Sequence, residues 1–220
     1  MKLSIQYNKK IDSEKKLKKL VYFAYNLNKK FFKKELLSLQ IKFFYTRKNF
    51  DVYFKKIYNQ LSLSWIVAWI PYQRYIHIFS PSVFSIETSH NKKNFIKVLT
   101  HEIAHIFIKE LYHINEPRWL IEGLADFIAE KDFKNIKLKT VVNFKDLHTF
   151  EDFHKSNSYN QSGLFIKYLL ENFDQDTLLK LLSSLNNNGG KNDFNDFKKI
   201  FKTIYKINFN TVVKNWLDKK

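Results

Sequence analysis

Cysteine is missing from all 220 residues. Disulfides and thiolate metal sites are both excluded, so any bound metal ion would have to be held by histidine and carboxylate. The missing thiols say nothing about redox compartment. No stretch approaches the eighteen or so apolar residues of a membrane span. The opening MKLSIQYNKKIDSEKK is too polar for the apolar segment of a signal peptide. A cytoplasmic protein without a transmembrane segment is therefore expected. Internal repeats and low-complexity segments are also absent. A chain of this length buries about 70% of the surface its unfolded form exposes, enough for a core without staples.

Acidic residues are few: 21 Asp and Glu against 38 Lys and Arg, a formal charge of +17. The excess is uneven. Residues 1–60 carry 16 basic and 4 acidic side chains, residues 61–190 carry 14 of each, and residues 191–220 carry 8 and 3. The middle is neutral, and the basic surface belongs to the two ends. Such ends suit an acidic partner, a nucleic acid or an anionic membrane surface. A chain rich in Lys, Asn, Ile, Phe and Tyr and poor in Gly, Pro and Ala is equally what an AT-rich genome encodes, so nucleic acid is a possible partner but not the favoured one.

Hydrophobic periodicity predicts an α+β fold. Lys2 to Tyr7 alternates weakly, as a first strand would. A helix starting at Asp12 or Ser13 turns Leu17, Leu20, Val21, Ala24, Leu27 and Phe31 to one face. Leu37 to Tyr45 is a strand pattern, followed by a basic helix or loop around 49–58. Ser64 to Ile70 and Tyr75 to Ser80 look like adjacent strands joined by a turn at Pro71 to Arg74. A long helix over about 91–112 has Phe95, Leu99, Ile103, Ile106 and Phe107 as its core face. Everything after Glu116 is predicted helical, apart from a loop region at 132–158. The expected organisation is one domain over 1–220, with a small mixed α/β lobe at 1–90 and a mainly helical portion at 91–220.

Within the long helix stands His101-Glu102-Ile103-Ala104-His105. Residues four apart on an α-helix lie one turn apart on the same face. Two neutral imidazoles so placed can bind one zinc ion, and the neighbouring glutamate can handle the protons of a water on it. The plainer alternative is two unrelated histidines on a core helix. A zinc enzyme needs a third protein ligand and an open fourth position. The long consensus HExxHxxGxxH is excluded, because Ile108 and Leu111 stand where it requires glycine and histidine. His113 falls where a continuing helix would not present it to the same metal. The better candidate is Glu122, in Pro117-Arg-Trp-Leu-Ile-Glu-Gly-Leu-Ala-Asp126. Pro117 suits a first helical turn, with Asn115 or Glu116 as cap. Trp119, Leu120, Leu124, Ala125, Phe127 and Ile128 then recur at helical spacing. One turn beyond Glu122, Asp126 is placed to accept the free ring N–H of a histidine. Glycine is scarce, with four in the chain. Gly189 and Gly190 fit a turn. Gly123 falls inside the helical pattern, at a cost of about 1 kcal/mol relative to alanine. It is either tolerated there or marks a close approach of the two metal-bearing helices.

HEIAH followed by PRWLIEGLAD resembles the gluzincin metallopeptidases, most closely the small peptidase MA-like family, with thermolysin and aminopeptidase N as distant relatives. The similarity extends loosely through Tyr159-Asn-Gln-Ser-Gly163 and Tyr168-Leu-Leu to Trp216, covering about residue 60 onward. It implies a zincin-like fold with an edge strand, one zinc ion per chain, and His101, His105 and Glu122 as its ligands. It also implies Glu102 as general base for peptide hydrolysis and Tyr159 as oxyanion donor, with His154, His148 and Tyr112 as competitors. In that family the last strand before the metal helix is the sheet edge that pairs with an extended substrate. By position this falls to Tyr75, Ile76, His77 and Ile78, unless that strand is paired on both sides. Nothing in YIHIFSPSVFSIE is similar to the amine-holding segment of aminopeptidases, which favours an endopeptidase acting on a peptide or protein substrate. Two other functions stay open. One is a nucleic-acid-associated protease anchored by the basic ends, although no Cys-rich ribbon or aromatic-basic recognition motif is present. The other is a non-catalytic zinc-binding module, which would have no need of Glu102. Oligomeric state is left open.

Overall fold

In the computed structural model of the chain, the residues described are 1–60, 62–129, 133, 136, 138, 140–156, 158–186 and 193–219. They form two compact units, Met1–Glu110 and Leu111–Lys220. The expected Gly189-Gly190 turn lies outside the described residues.

The first unit contains β1 (Lys2–Gln6), α1 (Glu14–Phe32), β2 (Ser38–Phe44), α2 (Arg47–Tyr58), β3 (Ala68–Tyr72), β4 (Tyr75–Phe79), a short α3 (Phe84–Glu87) and α4 (Phe95–Tyr112) as far as Glu110. α1 begins after Ser13, with Glu14 in its first turn and Lys29 and Lys30 in its last, charges that complement the helix dipole. Its buried stripe is Leu17, Val21, Ala24, Tyr25, Asn28 and Phe32. The expected Leu20, Leu27 and Phe31 are only half-buried. The stripe turns because Phe32 stacks on Phe107 of α4, with ring centroids 5.3 Å apart, and Tyr25 meets the same ring. α2 is a helix throughout, capped by Thr46, whose side chain accepts from the Asn49 N–H.

The four strands run in the order β1-β2-β4-β3. β1 and β2 are parallel, as are β2 and β4, and β3 lies antiparallel against β4 with an irregularity between Trp69 and Tyr72. β4 is therefore an interior strand. Tyr75, Ile76, His77 and Ile78 do not form the sheet edge expected of them, and the last three are buried. The reason is Arg74, which adopts φ 61° and lets the chain double back so that β3 covers β4. The turn expected over Pro71 to Arg74 is correspondingly shorter, since β3 extends to Tyr72.

The second unit is helical: α5 (Arg118–Ile128), α6 (Phe150–Ser156), α7 (Tyr159–Asn172), α8 (Gln175–Leu185), α9 (Phe194–Tyr205) and α10 (Phe209–Asp218). Asp174 caps α8 and Asp193 caps α9 through their side chains. α6 falls inside the expected loop region. Thr149 starts it by accepting the Asp152 N–H, and Phe153, the one buried anchor among its described side chains, is too little for a periodic signal. The hub of this unit is Trp119, fully buried and ringed by Phe144, Phe165, Phe197 and Phe209 at centroid distances of 4.8 to 5.8 Å. α5, α7, α9 and α10 thus share one aromatic core. Among the described residues, no helix is long and apolar enough to cross a membrane.

His77 gives the first unit a pH signature. It is 4% exposed, among the rings of Trp69, Tyr75 and Phe44. Desolvation, aided by Lys42, lowers its pKa to about 4. Unfolded, the imidazole titrates near about 6.5. The folded form therefore binds fewer protons, so stability is full above the unfolded pKa and falls as pH drops from there toward 4. Urea unfolding at about pH 7 and 4.5 should show wild type losing about 2–3 kcal/mol more than His77→Phe. Equal losses would remove His77 as the cause.

Candidate metal centre

α4 carries the histidine pair. Its axial position is set beside Thr100, whose carbonyl accepts from Asn28 Nδ2 at 3.1 Å. The same Nδ2 donates to Ala24 O at 3.0 Å, so a fully buried amide on α1 grips the residue next to His101. Phe95, Leu99, Ile103, Ile106 and Phe107 are all buried, as the periodicity predicts. That burial leaves His101, Glu102 and His105 half-exposed on one side. The two Nε2 atoms lie 3.0 Å apart and the rings cross at 84°. Two imidazole nitrogens this close cannot both point lone pairs at each other without a shared proton or cation between them. α4 ends after Tyr112, where His113 takes φ 52° and is exposed.

α5 starts at Arg118, with Pro117 at its N-cap position, one residue later than the expected cap at Glu116 and two later than one at Asn115. Glu122 is 2% exposed and Asp126, one turn on, is 8% exposed. A carboxylate so deeply buried needs a cation, and Arg118 supplies it through Nη2 to Glu122 Oε1. The guanidinium is itself held. It lies 5.0 Å from the Phe150 ring, and the Arg118 N–H donates to the His148 carbonyl at 2.7 Å. Arg118 was not foreseen from the sequence. Its position four residues before Glu122 was the available signal, an i,i+4 ion pair on a predicted helix.

His101 and His105 each offer a ring nitrogen and Glu122 a carboxylate oxygen, and these atoms all lie within 4.8 Å of one another. The three residues proposed from the sequence as ligands thus form a group able to hold a metal ion. Tyr159 is the first residue of α7, and its hydroxyl is 3.4 Å from His154 Nδ1. His154 feels the charges of both Arg118 and Glu122. Burial first, and then Arg118, hold its imidazole below the ordinary histidine range, while Glu122 pulls the other way. His148 instead packs its ring against Phe194 and Phe197 in the aromatic core. Tyr112 is 2% exposed, and desolvation pushes its hydroxyl up to about 12. Tyr75, Ile76, His77 and Ile78 sit within the sheet and contribute no free strand edge.

Gly123 has a packing reason, though not the one expected. A Cβ there would lie 2.7 Å from Ser162 O and 2.8 Å from Ile166 Cγ1, both on α7. The close approach is between α5 and α7, and it seats the α5 backbone against a carbonyl that cannot yield. Gly163, on α7, is similarly covered by the Phe133 ring. Gly123→Ala is expected to cost about 1–3 kcal/mol through overpacking, despite the roughly 1 kcal/mol that alanine adds to a helix interior. A thermal melt of the variant at or above the wild-type midpoint would exclude this approach.

Among protein families, the model described as "Peptidase of plants and bacteria" matches residues 72–213. The match spans the histidine pair, Glu122, Asp126 and Tyr159. No curated protein and no solved structure matches the chain.

Proposed function

The chain belongs to this family of peptidases of plants and bacteria, and on that premise we propose that it is a zinc-dependent endopeptidase of the gluzincin type. The observation that carries the reading is the trio of ligand atoms within 4.8 Å. Two imidazoles and one carboxylate are a catalytic zinc set, leaving a fourth position for water or substrate. The donor chemistry fits, since nitrogen and carboxylate oxygen suit zinc and the chain has no thiolate to close the site. When bound, zinc supplies a Lewis acid that lowers the pKa of a water toward about 7 and polarises a carbonyl.

The chain's own residues do the rest. His101 and His105 would hold the ion through ring nitrogens and Glu122 through a carboxylate oxygen. Glu102, beside His101 on α4, takes a proton from the attacking water and returns it to the amine nitrogen as the C–N bond breaks. Asp126 accepts a ring N–H of one histidine and so fixes its tautomer. Tyr159 donates its hydroxyl to the oxygen of the scissile carbonyl as negative charge develops there. Its neighbour His154, held neutral near pH 7 by burial and Arg118, orients that hydroxyl. An extended peptide pairs with β3, the outer strand on that side of the sheet, in place of β4. Residues 1–220 act as one catalytic domain.

Glu102→Gln should retain one equivalent of zinc, measured by atomic absorption, while cleavage of an unfolded protein falls by about 10²–10⁴. Retained zinc with unchanged cleavage would sink the general-base role, and absent zinc in the wild type would sink the metal reading. Arg118→Met should weaken zinc binding about 10–100-fold in competition with a chelating dye, because Glu122 loses the group that orients it. An unaltered zinc affinity would reduce Arg118 to a helix-surface pair.

A further inference from the structure

We propose that the outward face of α1 docks on an anionic lipid surface. α1 is 19 residues long, about 28 Å at an α-helical rise. At 100° per residue, Lys15, Lys19, Tyr22, Phe23, Asn26, Lys29 and Lys30 fall in one arc of about 120°. All seven are exposed. In the middle of this lysine face stand two aromatic side chains open to water, Tyr22 at 43% and Phe23 at 54% exposure. An aromatic pair flanked by lysines suits the boundary between headgroups and acyl chains. The rings enter it, and the long lysine stems keep their ammonium groups at the phosphates.

Two observations favour lipid over nucleic acid. The aromatic pair stands on the surface of a single helix, a form suited to a plane. The cleft at its C-terminal end, lined by Asn26, Lys29, Lys30, Lys33, Lys34 and Glu35, has no aromatic ring in it, whereas single strands are tracked by a basic groove with stacking platforms. The face also has no arginine. The three arginines of the chain are Arg47, Arg74 and Arg118. Arg47 is spent on the carbonyls of Ser64, Ile66 and Glu87, and Arg74 and Arg118 pair with Glu110 and Glu122. Guanidinium groups dominate base and phosphate recognition by fork geometry, while lysine alone is sufficient for attraction to an anionic bilayer. The inner side of the same helix grips α4 through Asn28 and Phe32. A docked α1 would therefore hold the histidine-bearing helix one helix diameter from the lipid, and direct the enzyme toward proteins at that surface.

The test is co-sedimentation of the full chain with vesicles of phosphatidylcholine alone, or mixed with phosphatidylglycerol at about 7:3. Binding should be confined to the anionic vesicles and fall at least about tenfold between about 0.1 and 1 M salt. Lys15/Lys19/Lys30→Glu and Tyr22/Phe23→Ser should each lower binding about tenfold or more, with circular dichroism melts near wild type. The charge-matched Lys202/Lys206/Lys214→Glu should bind as wild type. Equal binding to both vesicles, binding to neither, or an equal loss in the α9–α10 variant would overturn the proposal. So would retention of a single-stranded oligonucleotide, sensitive to Tyr22/Phe23→Ser, without vesicle binding.

Discussion

A carboxylate that is 2% exposed must be compensated where it lies, and Glu122 imposes that condition on everything around it. Removing an ion of this size from water costs several kcal/mol even after relaxation. The chain meets the cost locally, with Arg118 one turn earlier on the same helix. Arg118 then needs its own support, which comes from the face of Phe150 and the carbonyl of His148. Trp119, next in sequence, locks the start of α5 into an aromatic core shared with α7, α9 and α10. Gly123 removes the side chain that would keep α5 off α7. Position by position, the segment Arg118–Gly123 is occupied by what is needed to bury one negative charge in a fixed orientation.

The histidines meet the opposite condition. They stay half-exposed, on a helix whose opposite face, Leu99, Ile103, Ile106 and Phe107, is buried. Their approach to 3.0 Å is unfavourable for two lone pairs and favourable for a shared proton or a cation between them. Both rings are on one helix, so their spacing is a matter of side-chain torsions, but the direction in which the pair faces holds only if the helix neither rotates nor slides. Asn28 supplies that resistance through two carbonyls, Ala24 O on its own helix and Thr100 O on α4. On α4 the helix bearing the histidines is held by hydrogen bonding, and on α5 the carboxylate of Glu122 is held by ion pairing. This rigidity is what preorganised electrostatics requires.

What was legible in the sequence was what depends on local periodicity. The spacing of His101 and His105 is a property of any α-helix, and the core face of α4 follows from the same angle. Glu122 was legible because its helix follows directly on a proline and repeats its apolar residues cleanly. What failed depended on partners distant in sequence. Nothing in Tyr75 to Phe79 says whether a second strand covers it, and the answer came from a left-handed Arg74 that sends β3 back alongside. Gly123 announced a close approach but not its partner, which is α7. α6 was hidden by its shortness, with Phe153 as its buried anchor among the described side chains, a threonine cap, and Glu151 and Asp152 in its first turn.

The division of labour between the two cation types follows from the same physics. A guanidinium is planar, weakly hydrated and able to fork onto several acceptors, so it tolerates partial burial. Each arginine of this chain sits where such tolerance is needed. Arg47 ties residues 64–66 to Glu87, Arg74 closes the β3–β4 turn onto Glu110, and Arg118 neutralises Glu122. An ammonium is strongly hydrated and cannot fill those positions without losing its water. Lysine is left with the surface, where its charge is screened and costs little. The large positive charge is therefore no measure of the site's electrostatics. Within residues 61–190 the charges balance, and the potential felt by a substrate there is set by a few buried groups rather than by the sum.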